Sequence, residues 1–283
     1  MHDEPFVPHH ITATTADLVG NDGRGRIVFL PGSDGRAREI AQRFDGLEER
    51  PSPRSHNVYL GTLQHEGRTI EVAAVCSGMG TPSLDIIVQE LFHLGARVFL
   101  RVGTAGSLQA PRVKVGDLVI GTGAVRDEGT SRNYVPPEYP AIASPELVQA
   151  ARGAARRIGF ADRTTCGLVH SKDSLFAREF GAGPMAEESR RYMTILKRAG
   201  VVASEMESSH LFVLAALFSH DLAVAQGKGL QQVLAGSILG IIGDDGPFAP
   251  PEEARLTVAD SVILAVETVK ELAVGDWWPR TTS

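Results

Sequence analysis

Short apolar runs and amphipathic segments alternate along the chain. Residues 27–30 (IVFL) read as a buried strand. It runs into a glycine turn, PGSDGR at 31–36, and then a helix through residues 41–44. Residues 58–64 and 69–75 read as two strands joined by the turn HEGR at 65–68. A second glycine loop, CSGMGTPS at 76–83, opens a helix over 84–94 with Ile87, Leu91 and Leu94 on one face and Pro82 near its start. Further strands are predicted at 98–100, 116–120, 164–169, 201–204 and 236–242. Helices are predicted at 145–158 behind Ser144 as N-cap, at 210–218 and at 252–272. Strands alternating with helices mean an α/β fold with a central mixed or parallel sheet. Residues 126–143 read as a long polar loop with three prolines, and 177–189 as a mobile Gly-, Ala- and Glu-rich stretch.

The polar motifs fall at the carboxyl ends of these strands, where open α/β sheets bind ligands. In ARVFLRVGTAGS at 96–107 the apolar run ends in Arg101. Gly103, Thr104, Ala105 and Gly106 then read as a tight loop with amides able to face an anion. Read alone, the stretch is either a phosphate site or a surface arginine before an ordinary turn. Arg36 adds a second cation behind the 31–36 turn, which lacks the ending of a Walker loop and is not a dinucleotide fingerprint. In VVASEMESS at 201–209, Glu205 and Glu207 flank Met206 where a strand becomes a helix. They are either solvated first-turn acids or a carboxylate that takes two hydroxyls of a vicinal diol. An anion site plus a diol site suggests nucleoside or nucleotide chemistry.

Composition narrows the setting. The 283 residues, 43% apolar and 22% charged, suit one domain over 1–283 with an N-terminal arm at 1–23 and a tail at 273–283. A net charge of −6 argues against a non-specific nucleic-acid partner. Two cysteines, Cys76 and Cys166, make neither a disulfide framework nor a zinc cluster and fit a reducing cytoplasm. The first residues lack the pattern of a signal peptide, and no apolar run looks long enough to span a bilayer. His9 and His10 read as part of a solvated tail unless a neighbouring subunit uses them. Trp277 and Trp278 are expected to pack or to make a subunit contact.

Taken in order, PGxxxR, SGMGTPS, LRVGTAGSLQ with VKVGDLVIGTGAVRDEGTS, PPEYPA and SEMES resemble the nucleoside phosphorylase-I family, and within it the uridine phosphorylases, over roughly residues 8–270. The resemblance implies a three-layer α/β/α sandwich with a central mixed, mostly parallel sheet. It implies cleavage of a nucleoside's N-glycosidic bond by inorganic phosphate, giving ribose 1-phosphate and free base, with no metal and no organic cofactor. It assigns Gly32, Arg36, Arg101 and Thr104 to phosphate, with His56 where the family has a subunit-crossing arginine. It assigns His10, Thr104, Met206 and Glu207 to ribose, His10 being lent by a neighbouring subunit, and it sets Gly106, Phe176, Arg178 and Glu205 about the base. The implied assembly is a homo-oligomer, a dimer at least and a hexamer by family habit, with the site shared between subunits.

Three positions depart from the family pattern. His56 replaces the arginine, with Arg54 two residues upstream as a substitute, and a neutral histidine opens the way to hydrolysis. The loop after Lys172-Asp173-Ser174 holds no glutamine for uracil and leaves Arg178 or Glu179 for that role. Asp244 and Asp245 fall where bacterial purine phosphorylases carry the aspartate that protonates the base, or else form a surface pair after a strand. The segment 226–232 is unusual and reads as an insertion or a subunit contact. Beside a uridine-like phosphorylase stand a purine phosphorylase, a nucleosidase and a non-catalytic nucleoside-binding protein.

Overall fold

The apolar runs fold as strands of a central sheet with helices between them, in a computed structural model that describes residues 6–227, 233–244, 246 and 248–275. Trp277, Trp278, Asp245 and residues 228–232 lie outside the described residues. The strands are β1 (Ile27–Pro31), β2 (Asp45–Arg50), β3 (Val58–His65), β4 (Arg68–Val75), β5 (Val98–Ser107), β6 (Leu118–Asp127), β7 (Ala141–Ile142), β8 (Thr164–Lys172), β9 (Ala203–Glu205) and β10 (Leu234–Gly243). The α-helices are α1 (Thr15–Leu18), α2 (Asp34–Ala41), α3 (Thr81–His93), α4 (Pro145–Arg157), α5 (Leu175–Arg178), α6 (Ala186–Arg198), α7 (Ser208–Gln226) and α8 (Pro251–Val274).

Side-chain alternation sorts the core to two faces of the sheet. From β1 and β5, Ile27, Phe29, Val98, Leu100 and Val102 join the buried residues of α2, α4 and α8 in one cluster. Their neighbours Val28, Leu30 and Phe99 join those of α3 and α7 in another. The result is a mixed α/β fold. Parallel ladders flank β5 on both sides, from β1 and from β10. β10 and β6 run antiparallel, as do β3 and β4.

One feature goes beyond the layered expectation. β5, β10, β6, β8 and β9 pair in a ring, so this part of the sheet closes on itself. Register shifts at Gly121/Gly123 in the β6–β8 ladder and at Ile241/Gly243 in the β10–β5 ladder mark irregularities of the kind that bend strands. A separate small cluster, including Ala105, Val119, Val169, Leu239 and Ile241, comes from the strands of this ring.

Several sequence expectations change here. Residues 103–106 are no loop: they continue β5, with β10 paired to them through Gly106. Among the described residues the other edge of β5 loses β1 after Val102 and meets β9 from Gly106, so Gly103 to Ala105 have no strand partner on that edge. Gly103 and Ala105 are buried, and close packing rather than a tight turn keeps the segment small: a Cβ on Gly103 would lie 2.9 Å from Leu239 Cδ2. Residues 126–143 carry the end of β6, a 3-10 turn at Ser131–Asn133 and β7, and Arg126 ties them by donating to the carbonyl oxygens of Pro136 and Tyr139 at 2.7 and 2.6 Å. The 177–189 stretch ends in α6, whose buried Ser189, Met193 and Leu196 show a helical spacing that its many charges masked. α7 is long and apolar enough to cross a membrane, against the expectation that no run is. Yet 56% of its apolar window is buried, and it packs in the core beside α3 and the sheet.

Gly240 marks the closest approach of β10 to α8. A Cβ there would lie 2.9 Å from Thr257 Cγ2 and 3.1 Å from Thr257 O. The carbonyl belongs to helix backbone and cannot swing aside, so Gly240→Ala is expected to cost about 1–3 kcal/mol of stability. Urea unfolding checks this; an unchanged midpoint would mean that strand and helix do not approach so closely.

Candidate active site

β5 carries Arg101 into the interior, where an unpaired guanidinium would be prohibitively unstable. Two carboxylates meet it. Glu205, the last residue of β9, accepts from Arg101 Nε at 2.8 Å. Glu207, the N-cap of α7, pairs with Arg101 Nη2. All three side chains are at most 6% exposed. Arg101 Nη1 is buried and has no hydrogen-bond partner among the described residues.

The two acids are held differently. Glu205 sits at the N-terminus of α7 and accepts the amides of Glu207 at 2.9 Å and Ser208 at 3.0 Å, as well as the Ser171 hydroxyl. A helix N-terminus favours such a charge. Glu207 accepts the Gly80 amide at 2.6 Å. Gly80 begins α3 with φ of 83°. Nearby Gly78 has φ of 74°, and a Cβ on it would strike Ser83 Oγ at 2.1 Å, so this loop can approach Glu207 only with glycine.

Electrostatics follow from that packing. Burial would raise the Glu205 carboxyl, but Arg101, the Ser171 hydroxyl and the two amides outweigh it and hold it below its ordinary range. Burial raises Glu207, and the charge of Glu205 adds to this against the pull of Arg101. Burial would lower Arg101, and the two carboxylates more than reverse it. Arg36 is lowered by burial and by its neighbour Arg101. It donates to the Val102 carbonyl at 3.3 Å, while its Nε is buried without a partner among the described residues. Among the described residues the two adjacent cations keep unused buried donors of the kind that suit an anion.

A cavity of about 750 Å³ opens beside this cluster. Of the residues singled out in the sequence, Gly32, Arg36, Arg101, Thr104, Gly106, Glu205, Met206, Glu207 and Asp244 line it. Asp244 is exposed at the rim and accepts the Gly246 amide at 2.8 Å. Lys172, Glu179, Phe180 and Phe248 also line it. Nothing in the sequence marked Lys172, Phe180 or Phe248, because a buried lysine and separated aromatics have no local pattern. The Phe180 and Phe248 rings meet edge to face at 5.7 Å.

Five expected residues stand elsewhere or act otherwise. Glu205 reaches the cavity wall, but its oxygens are spent on Arg101, Ser171 and α7 amides rather than turned to a base. Arg178 forks onto Asp127 at 2.7 and 3.0 Å and lies over the Tyr192 ring, outside the cavity lining. Phe176 is 69% exposed and touches the site only through Phe180, at 5.6 Å between ring centres. His56 bonds through Nδ1 to the Cys76 carbonyl at 2.7 Å and does not line this chain's cavity; Arg54 is exposed. His10 also lies outside this cavity. Its Nδ1 is 2.7 Å from Glu90, which accepts the amides of His9, His10 and Ile11 as well. This part of the arm is therefore tied down rather than solvated.

A buried arginine clamped by two acids at strand ends borders a cavity of about 750 Å³, a volume with room for a sugar and a ring. The family model of the phosphorylase superfamily matches residues 26–227, and the chain belongs to that superfamily. It is 33% identical over 271 residues to a uridine phosphorylase of Treponema pallidum, covering 95% of each chain. It is 34% identical over 262 residues to a uridine phosphorylase of Haemophilus influenzae, covering 91% of this chain and 94% of that one. It is also similar, at 30% over 258 residues, to a guanosine phosphorylase of Halorubrum lacusprofundi, covering 90% of this chain and 97% of the other.

Glu205→Ala strips a buried arginine of one partner and leaves the Glu207 and Ser208 amides unsatisfied. The expected loss is about 3–5 kcal/mol, read by urea unfolding. Glu205→Gln, which keeps an oxygen for the amides, is expected to lose less. Equal losses would place the effect in the charge alone.

Proposed function

We propose that the chain is a nucleoside phosphorylase that cleaves a uridine-like nucleoside with inorganic phosphate to free base and ribose 1-phosphate. The observation that carries this is Arg101, oriented by Glu205, in contact with Glu207 and still holding a buried donor without a partner among the described residues. Phosphate is bound by Arg101, Arg36, Thr104 and the turn at Gly32. Its charge competes with Glu207 for Arg101, and Glu207, still held by Gly80, accepts the ribose 2′- and 3′-hydroxyls. Met206 packs on the sugar. A phosphate oxygen attacks C1′ as the C1′–N bond breaks. The bonding pair leaves with the base, which takes up a proton. Positive charge building on the sugar is stabilised by the phosphate beside it, so catalysis is positioning and electrostatics. No metal or organic cofactor enters this scheme.

The finer reading is a three-layer α/β/α arrangement as one domain, in the cytoplasm, with neither nucleic acid nor membrane as partner. His10 and His56 lie outside this chain's cavity, which supports a homo-oligomer in which a neighbouring subunit supplies them, a dimer at least and a hexamer in the fullest form. A purine nucleoside is the second reading. Asp244 on the cavity rim favours it, as a group able to hand a proton to a departing purine.

Base release from uridine, thymidine, inosine and adenosine, each with and without phosphate, tests the proposal. Release is expected only with phosphate; release without it means a nucleosidase. Glu207→Ala is expected to lower kcat/KM by about 100- to 1000-fold, and near wild-type turnover would remove Glu207 from the ribose. Arg36→Ala is expected to raise the phosphate KM about 10- to 100-fold, the worth of a hydrogen bond to a charged group; an unmoved phosphate KM would remove Arg36 from that site. The pH profile of kcat/KM carries a further sign. Glu207 accepts a hydrogen bond on each oxygen, one from each ribose hydroxyl, only when ionised, and its carboxyl is raised from the ordinary 4.5. It therefore keeps its proton to higher pH, and the acid limb is expected above the ordinary carboxylate range. A limb at or below that range would contradict the assignment.

A further inference from the structure

Lys172 and Glu179 both line the cavity, and Lys172 meets the Arg101 cluster through the Glu205 carbonyl, to which it donates at 3.3 Å. Lys172 ends β8 and is 2% exposed. Its ammonium donates to Ser204 Oγ at 2.8 Å and pairs with Glu179 Oε2 at 2.8 Å. Glu179 follows α5 directly, and α5 is itself pinned by the Arg178–Asp127 fork. The carboxylate is thus fixed from two sides, with its other oxygen turned to β5. A Cβ on Gly106 would lie 2.8 Å from Oε1. About 16 Å of extended strand separates Gly106 from Arg101. With phosphate on Arg101 and ribose on Glu207, the far end of the cavity is where a base must lie.

We infer that Glu179 Oε1 reads a ring N–H on the edge of the base, with Lys172 as the positioning residue; this rests on the phosphorylase reading above. An ionised carboxylate has acceptors only. Uracil, thymine and 6-oxopurines carry a ring N–H beside a carbonyl and match it. Cytosine and adenine present a bare ring nitrogen at the corresponding place, lone pair against lone pair. The site therefore selects keto bases over amino bases, for one ring or two, and it does so without the glutamine that its loop lacks. Gly106 belongs to the same device, because any side chain there would displace the carboxylate.

The test compares kcat/KM at saturating phosphate for two pairs of equal ring size, uridine with cytidine and inosine with adenosine. A site built to bond an N–H rejects the analogue lacking it by about 1000-fold or more, and the wild type is expected to show this in at least one pair. Glu179→Gln keeps the size but can turn an N–H₂ to the base; the ratio is expected to fall at least about 10-fold with the phosphate KM unmoved. Lys172→Met is expected to reduce the same ratio. Each ratio is internal to one preparation, so partial unfolding of a variant does not change it. A preference for cytidine or adenosine in the wild type, or an unchanged ratio in Glu179→Gln, overturns the inference. A wild type with no phosphate-dependent release from any nucleoside overturns the phosphorylase reading itself, a different result from phosphorolysis without base selection.

Discussion

A buried arginine between two carboxylates is the constraint on which the rest of the structure depends. Arg101, Glu205 and Glu207 together bury more negative than positive charge. Such a cluster persists only if its remaining lone pairs find donors, since desolvation of each ion costs several kcal/mol. The chain supplies those donors from separate places: the first amides of α7 and the Ser171 hydroxyl for Glu205, and the Gly80 amide at the start of α3 for Glu207. β5, β8, β9, α3 and α7 are thereby fixed to one point. Among the described residues Arg101 Nη1 is left as a buried donor without a partner, and in the proposed reading phosphate takes it, with the Arg36 charge beside it.

Closure of the sheet makes this convergence possible. β9 is three residues long, yet it pairs with both β5 and β8, so Glu205 at its end lands beside Arg101 on one strand and Ser171 on the other. A sheet open at β9 would leave these groups on separate edges. The same closure frames the cavity: among the described residues β5 loses β1 after Val102 and gains β9 at Gly106, and between them Thr104 and Ala105 line the site with one edge free. The ladder gap and the ion cluster have the same topological cause.

Much of this was legible in the sequence, and the unreadable part has a physical reason. The alternation of apolar runs and glycine turns showed the α/β class. Arg36, Arg101, Thr104 and Glu207 stand out as charged or polar groups at the ends of apolar strands, with Met206 beside Glu207, and the cavity gathers them. The 103–106 segment misled because Gly-Thr-Ala-Gly has the composition of a turn, and only its pairing to β10 makes it strand. Glu205 and Glu207 are chemically identical and two residues apart. Nothing local says that one faces helix amides while the other faces the cavity. Arg178 misled for a related reason: its partner Asp127 lies on β6, remote in sequence, and a long-range ion pair leaves no periodic trace.

The two ends of the cavity also differ in how they are built, which bears on what can vary between relatives that share this fold. In the proposed reading, the phosphate and ribose end rests on strand termini, a glycine-bound loop and buried ion pairs; Arg101, Glu205 and Glu207 are bonded to one another there, so change at one reaches the others. The base end rests on a helix of four residues, two aromatic rings and one lysine–glutamate pair. Its anchors, Lys172 and Asp127, lie on β8 and β6, while Glu179 and Phe180 lie beyond the helix and Phe248 beyond β10. Glu179 and Phe180 make no hydrogen bond or ion pair to the Arg101 cluster among the described residues, whereas Lys172 also reaches the Glu205 carbonyl at 3.3 Å. A single scaffold can therefore hold its chemistry nearly constant while the loop beyond α5 changes, and in the reading inferred for this chain the Lys172–Glu179 pair is the form that change takes.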